Sequence, residues 1–276
     1  MRIRLSKSII LDLMSPQVLA DGFRAWVAGE SGSGKSSAAM LFASQIVEQD
    51  GQVIVLDAHG EYERLWEVKP GAVVKLGYGS KPVDESSVEF CMELVRQGKS
   101  VLIDLSHWTD LEPPKLDAFV LDFIRELYKL RRECPRQTFL IVEESQNFMP
   151  QQQESGQAQN IKVFLGIMTG GRKYGLNFIL CSQQQSLVDV RAIRSCNVRV
   201  FLRISDEGDW KKVRAYMPEN LSIGFKAGEK RNDITKFKSG EAVLVCRWIG
   251  EDKRVQLALP EVTPRQPLIE AMKEVH

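Results

Sequence analysis

GESGSGKS occupies residues 29 to 36 and matches the pattern G-x-x-x-x-G-K-[ST]. Gly29, Gly32 and Gly34 let a backbone turn tightly, so that several N–H groups aim into one concavity. The whole stretch, from Gly29 through Glu30, Ser31, Gly32, Ser33, Gly34, Lys35 and Ser36 to Ser37, is a candidate cradle for the phosphates of ATP. Lys35 would reach the β and γ phosphates, Ser36 would hold Mg²⁺, and the positive end of the following helix would add to both. The flanks suit this reading, because the apolar run FRAWVAG (23–29) precedes the loop and a helical pattern (35–49) follows it.

Working outward, the same alternation continues. QVIVLD (52–57), AVVKLG (72–77), SVLIDL (100–105), QTFLIVE (137–143), LNFILCS (176–182) and NVRVFLRI (197–204) are strand candidates. Most are apolar without interruption, as strands buried on both faces of a parallel sheet must be. Helical patterns fall between them at 84–97, 114–132, 159–173 and 207–216. Strand–helix–strand repetition predicts an α/β fold with a mostly parallel central sheet flanked by helices. EAVLVCRW (241–248) and RVQLAL (254–259) have no helix between them and predict a C-terminal β-hairpin turning at 250–251. The chain reads as a single domain over 1–276, with a core at about 22–205 and an extension at about 206–276.

A phosphate loop that hydrolyses its nucleotide needs an acid near Mg²⁺ and a base or orienting group for water. TFLIVEESQNFMP (138–150) delivers Glu143 and Glu144 to the C-terminal end of an apolar strand, where ligands bind in such sheets. Glu143 would hold the metal and Glu144 would polarise the attacking water. Successive strand residues point to opposite sides, so at most one of the two is expected to face the core. Asp57 and Asp104 also end apolar strands, and each by itself reads as a turn cap.

Composition limits the alternatives. Charged residues make up 26% and the net charge is +1, so no overall basic field draws the chain to nucleic acid, and any DNA contact must come from a local patch or its repetition in an oligomer. No apolar run approaches the roughly 18 residues a membrane span needs. The stretch within MRIRLSKSIILDLMS is too short and broken for a signal sequence, and the five cysteines are scattered without a CxxC pair. A cytoplasmic protein without membrane insertion is expected.

VAGESGSGKSS, VIVLDAHGEY, FLIVEESQNFMP, GRKYGLNFILCSQQ and IRSCNVRVFLRIS occur in the order found in the HerA–FtsK superfamily of P-loop ATPases, and the chain most resembles its HerA branch. DAHGEY together with GRKYG and SQQ carries most of that resemblance; the phosphate loop alone is generic. The resemblance implies a RecA-like fold of the class with an additional strand and a catalytic glutamate, ATP with Mg²⁺ as cofactors, and assembly into a homohexamer that translocates double-stranded DNA. LNFILCS would then be the additional strand, Gln183 at its end would sense the γ-phosphate or orient the water, and Arg172 before it would be an arginine finger acting on the neighbouring subunit's nucleotide. Arg172 and Lys173 also suit the C-terminus of a helix, which needs no ligand at all. Arg203 is a second candidate for an intersubunit contact.

The chain departs from the family pattern in three places. Its acidic pair is Glu-Glu where Asp-Glu is usual, Gln146 stands where the HerA branch often has His, and only 28 residues precede Gly29 where cellular members carry a small β-barrel. A minimal motor core is therefore expected, resembling those of viruses and mobile elements. That keeps open a genome-packaging or DNA-transfer ATPase driven by a nuclease, portal or secretion partner, and a slow nucleotide-dependent switch. The polar stretch 151–159 and the basic stretch 224–238, with Lys226, Lys230, Arg231, Lys236 and Lys238, are candidates for the pore lining.

Overall fold

The computed structural model describes residues 1–77, 80–84, 86–107, 113–152, 157–218, 234–250 and 252–264. Nine of the strands form one sheet, labelled here in chain order as β3 (Arg24–Ala28), β4 (Gln52–Asp57), β5 (Val73–Leu76), β6 (Ser100–Asp104), β7 (Thr138–Val142), β8 (Leu176–Ser182), β9 (Val198–Phe201), β10 (Glu241–Cys246) and β11 (Lys253–Gln256). Their spatial order is β11-β10-β9-β3-β8-β7-β4-β6-β5. From β9 to β5 every neighbour is parallel, while β10 runs antiparallel to β9 and pairs with β11 as the expected hairpin. Glu251 of the expected turn lies outside the described residues.

The uninterrupted apolar runs are explained by burial on both faces. Ile54, Leu56, Leu140, Val142, Phe178 and Leu180 pack into the core on one face. Their immediate neighbours Val53, Val55, Phe139, Ile141, Ile179 and Cys181 pack into the core on the other. Alternation along a strand sends neighbours to opposite faces, so the middles of β4 and β7 are wholly apolar and polar residues such as Gln52, Asp57, Thr138 and Ser182 stand at the strand ends.

The additional strand is where the motifs placed it. β8 lies between β3, which feeds the phosphate loop, and β7, which feeds the acidic pair. The loop that closes β3 is thereby set two strands away from the glutamates. The register brings Ala28 beside Ser182, and Val142 beside Leu180.

Two features were not expected. The N-terminus forms a small hairpin of β1 (Arg2–Arg4) and β2 (Ile10–Asp12). The outer edge of β1 is satisfied by the helix Lys35–Glu48, since Gln45 and Gln49 each accept from one β1 amide and donate to the same residue's carbonyl. The helix expected over 159–173 instead runs over Gln157–Gly170 and tightens into a 3₁₀ turn at Gly171–Tyr174. Leu176 packs so close to Gly171 that a Cβ there would lie 2.9 Å from it, and Gly175 ends the turn at φ +83°.

Candidate functional site

The site begins with the loop after β3. Gly32 and Gly34 have φ of +71° and +99°, the left-handed region that glycine enters without penalty. Gly29 has a different reason to be glycine, because the Ser33 hydroxyl fills the space where its Cβ would stand, 2.5 Å away. That hydroxyl is buried and has no hydrogen-bond partner among the described residues. Gly34 opens the helix Lys35–Glu48, so the free N–H groups of its first turn face the same cleft. The cleft is about 140 Å³, and Ser31, Lys35, Ser36, Ser37 and Gln183 line it.

Glu30 also lines the cleft, and its carboxylate is held within the chain. Arg203 donates to one of its oxygens, and the amide of Ser205 donates to the other at 2.9 Å, with the Ser205 hydroxyl adding a short bond. Arg203, the second candidate for an intersubunit contact, is paired with Glu30 within the chain and braces the loop.

Lys35 is only 5% exposed, with Nζ 3.3 Å from Glu143 Oε2 and 3.7 Å from Glu144 Oε1. Burial disfavours its charge, but Glu143 and then Glu144 outweigh that and raise its pKa above the ordinary lysine value. Both carboxylates are buried, at 2% and 5% exposure, against the expectation that one would face away. β7 ends at Val142, and Glu144 takes a left-handed backbone (φ 47°, ψ 48°) before the short helix Ser145–Phe148. Strand alternation therefore no longer applies at Glu144, and the kink turns its side chain back beside Glu143.

Glu144 is the hub of the site. Gln183 Nε2 donates to its Oε1 at 2.6 Å, His59 Nε2 lies 3.3 Å from the same oxygen, and Gln146 donates to Oε2. Burial alone would raise its pKa; the His59 contact, the Lys35 charge and the Gln146 bond outweigh that and hold it down to about 2. His59 is raised in turn, chiefly by its bond to Glu144.

Glu143 is fixed from the other side by the DAHGEY element. Asp57, fully buried at the end of β4, accepts from the amides of His59, Gly60, Glu61 and Tyr62 at 2.9–3.2 Å. Burial pushes its pKa up to about 7, with the Tyr62 and His59 amides pulling the other way. The turn it organises aims the buried Tyr62 hydroxyl at Glu143 Oε1, where it donates a short hydrogen bond, and sets His59 beside Glu144. Asp57 is the turn cap its residue type suggests, and the capped turn also carries two contacts to the acidic pair that residue type alone does not signal.

The donor set suits Mg²⁺, since a serine hydroxyl (Ser36, opening into the cleft) and a carboxylate (Glu143) are hard oxygen donors. Ser239 and Glu61 also line the cleft, and a Cβ on Gly34 would lie 3.1 Å from both Gly240 N and Ser239 Oγ. Glu61 belongs to DAHGEY, while Ser239 and Gly240 come from a chain-distant segment that no local motif marks.

Arg172 is not part of this cluster. It lies in the 3₁₀ turn before β8, exposed, with one long 3.5 Å bond from its guanidinium to the Ala20 carbonyl. β8 has seven residues and so spans about 23 Å, which puts Arg172 and Gln183 at opposite edges of the sheet. Of the suggested pore residues, 153–156 and Lys226, Lys230 and Arg231 lie outside the described residues, while Lys236 closes a 3₁₀ turn at Ile234–Lys236.

Comparisons with known proteins bear on the same region. The family model for "Helicase HerA, central domain" matches residues 26–88, which include the end of β3, the phosphate loop and the Asp57 turn. No curated protein matches the chain by sequence. Among solved structures, the chain is similar to the genome packaging NTPase B204 from Sulfolobus turreted icosahedral virus 2 in complex with ATP-gammaS, with TM-score 0.59 at 14% identity over 87% of this chain and 98% of that one. It is similar to VirB4 of Thermoanaerobacter pseudethanolicus, with TM-score 0.67 at 11% identity over 97% of each chain. The conjugation coupling protein TcpA superposes with TM-score 0.53 at 14% identity, over 95% of this chain and 66% of that one. At these identities the likeness carries the fold, which is that of P-loop NTPases. Over residues 26–88 the HerA-like resemblance read from the motifs is matched by the family model. Among the described residues, no helix is long and apolar enough to cross a membrane.

Proposed function

We propose that the chain is an ATP-hydrolysing motor that works as a homohexameric ring on double-stranded DNA, with residues 1–276 acting as one ATPase domain. The observation that carries this reading is the convergence on Glu144. One buried carboxylate shares its oxygens among Lys35 of the phosphate loop, His59 of the Asp57 turn and Gln183 at the end of β8. A nucleotide-binding switch needs the loop and the lysine, but it does not need a second buried acid tied to a glutamine at the γ-phosphate side of the cleft.

In this reading Lys35 has two partners in turn. Within the chain it is paired with Glu143 and Glu144, and with ATP bound its ammonium would move to the β and γ phosphates. Glu144 then loses one of the charges that hold its pKa down and becomes a better acceptor for the proton of the attacking water. Gln183, already hydrogen-bonded to Glu144, orients that water. Ser36 and Glu143 would hold Mg²⁺, which supplies charge neutralisation at the β and γ phosphates when bound. The Tyr62 hydroxyl keeps Glu143 from swinging as Lys35 leaves. Arg172 would stabilise charge building on the phosphate of the adjacent copy, a role its position on the far edge of the sheet allows only in a head-to-tail assembly.

Likeness to a genome packaging NTPase and to a conjugation coupling protein supports a second version of the same reading, in which a portal, secretion or nuclease partner drives the cycle. Steady-state ATP hydrolysis by the wild type and Glu144→Gln, with and without linear duplex DNA at low salt and with oligomer size read on the same samples, separates these. Hydrolysis that rises several-fold with DNA, follows ring formation and vanishes in Glu144→Gln supports the DNA motor. Hydrolysis that vanishes in Glu144→Gln but ignores DNA supports the partner-driven version. Hydrolysis that persists in Glu144→Gln overturns the catalytic assignment.

A further inference from the structure

A larger cleft, of about 600 Å³, lies at the opposite edge of the sheet, where β3 and β9 begin and β10 ends. Arg24, Arg194, Arg199 and Arg247 line it, and Asp252 is the one acid among its lining residues. Arg172 adds its charge, since it acts on Arg24 through space. The chain as a whole carries only +1, so this gathering of guanidiniums is a local feature and not a reflection of composition.

The arginines are held in place largely without being neutralised. Arg24 donates from Nε to the Ser195 carbonyl at 2.6 Å and from Nη1 to the Asp21 carbonyl at 3.0 Å, so neutral acceptors fix it. Arg199 stacks over the Tyr216 ring at 5.4 Å, and its Nε is buried with no hydrogen-bond partner among the described residues. Arg247 has an Asp21 oxygen 3.6 Å from Nε, and Arg194 makes no hydrogen bond or ion pair with a described residue. Both of these are exposed. Clustered like charges repel, and their planar forks match phosphate oxygens in pairs. The volume is within the range of pockets that take a small molecule, about 300–1,000 Å³.

We propose that this arginine cleft is a second phosphate-binding site, which takes the polyphosphate of a nucleotide at the sheet edge opposite the phosphate loop, with Arg194 and Arg247 contacting it and Arg24 and Arg199 as fixed charges behind them. The chain's own loop cannot supply that nucleotide, because the five residues of β3 hold the two edges about 17 Å apart. The source is either free nucleotide or the nucleotide seated in an adjacent copy; only the second source rests on the head-to-tail ring proposed above.

The direct test is calorimetric binding of inorganic tripolyphosphate to the Lys35→Ala chain, whose phosphate loop has lost its ammonium. Binding should persist and weaken with salt, as exposed charges do. Adding Arg194→Ser and Arg247→Ser should weaken it at least about tenfold, since each removes a charge-assisted contact. Both side chains are exposed, so an unchanged urea midpoint verifies folding. No binding by Lys35→Ala, or equal binding with and without the two arginines, overturns the proposal. Loss of duplex DNA binding in the double variant with tripolyphosphate binding unchanged also overturns it.

Mixing identifies the source. The Arg194→Ser, Arg247→Ser chain with an intact Lys35 is mixed with Lys35→Ala, and ATP hydrolysis is compared with the sum of the two alone. Hydrolysis above that sum assigns the cleft to an adjacent copy's nucleotide; a plain sum with tripolyphosphate binding retained assigns it to free nucleotide. The same mixture made with Arg172→Ala tests the ring separately. Failure to exceed the sum there, with tripolyphosphate binding intact, counts against the ring and leaves the cleft standing.

Discussion

Replacing Glu144 by glutamine should destabilise the protein in a way that depends on pH. Glutamine has nearly the shape of a protonated glutamate, so the comparison isolates the charge. The carboxyl is held at about 2 against an ordinary 4.5, a difference worth about 3 kcal/mol when the group is ionised in both states. The sign follows from the direction of the shift. A depressed folded-state pKa means that the unfolded chain takes up protons first, so the contribution is complete above about pH 4.5 and is lost as pH falls toward 2. About 1 kcal/mol of it should be gone by about pH 3.8. Urea unfolding of wild type and Glu144→Gln at neutral pH and near pH 3.8 measures this directly. The gap between them should be about 3 kcal/mol at neutral pH and narrow by about 1 kcal/mol on acidification. A gap that stays constant with pH would refute the view that the ionised carboxylate is stabilised by Lys35, His59 and Gln146. A Glu144→Gln chain more stable than wild type at neutral pH would show instead that the acidic pair is held under repulsion.

Three further outcomes are expected. Tyr62→Phe removes the buried hydroxyl that donates to Glu143 without opening a cavity, so urea unfolding should show a loss of about 1.5–3 kcal/mol, and hydrolysis should need more Mg²⁺ for half-maximal rate; an unchanged Mg²⁺ titration would reduce Tyr62 to a packing residue. Gly34→Ala forces a side chain to φ +99° and presses it against Gly240 and Ser239, so thermal unfolding should show a loss of at least about 1–2 kcal/mol and fluorescent-nucleotide binding should disappear. Arg172→Ala should lower the DNA-stimulated rate by about 10³-fold, with melting temperature and single-chain nucleotide affinity unchanged, because the side chain is exposed and makes one long bond.

How much of this was legible in the sequence depends on the distance over which each residue acts. β4, β7 and β8 are readable because burial on both faces favours apolar residues at nearly every position, a constraint visible within five to seven residues. The phosphate loop is readable for the same reason, as its glycines and lysine act within eight residues. β1 is not, since a three-residue strand has no periodicity to show, and the groups that satisfy its edge are glutamines more than 40 positions away. Arg131 looks like a basic residue ending a helix. It is in fact buried, bonded to Gln52 and Thr138 where β4 and β7 begin, and burial lowers its pKa to about 10.

Glu144 shows how a correct local rule can mislead. Alternation along a strand is sound, but it was carried one residue past the end of β7, and the left-handed backbone at Glu144 reverses its consequence. Nothing in FLIVEES marks that kink. The reason the chain tolerates it is in the cluster itself: Lys35, His59, Gln146 and Gln183 all bond or lie against Glu144, and they come from four separate segments. A non-glycine residue in this backbone region costs about 1–2 kcal/mol, a strain that persists only where the surrounding contacts over-determine it. The kink is therefore held by the site. Weakening the partners should relax it, and the strand rule misjudged Glu144 at the residue where the proposed chemistry would occur.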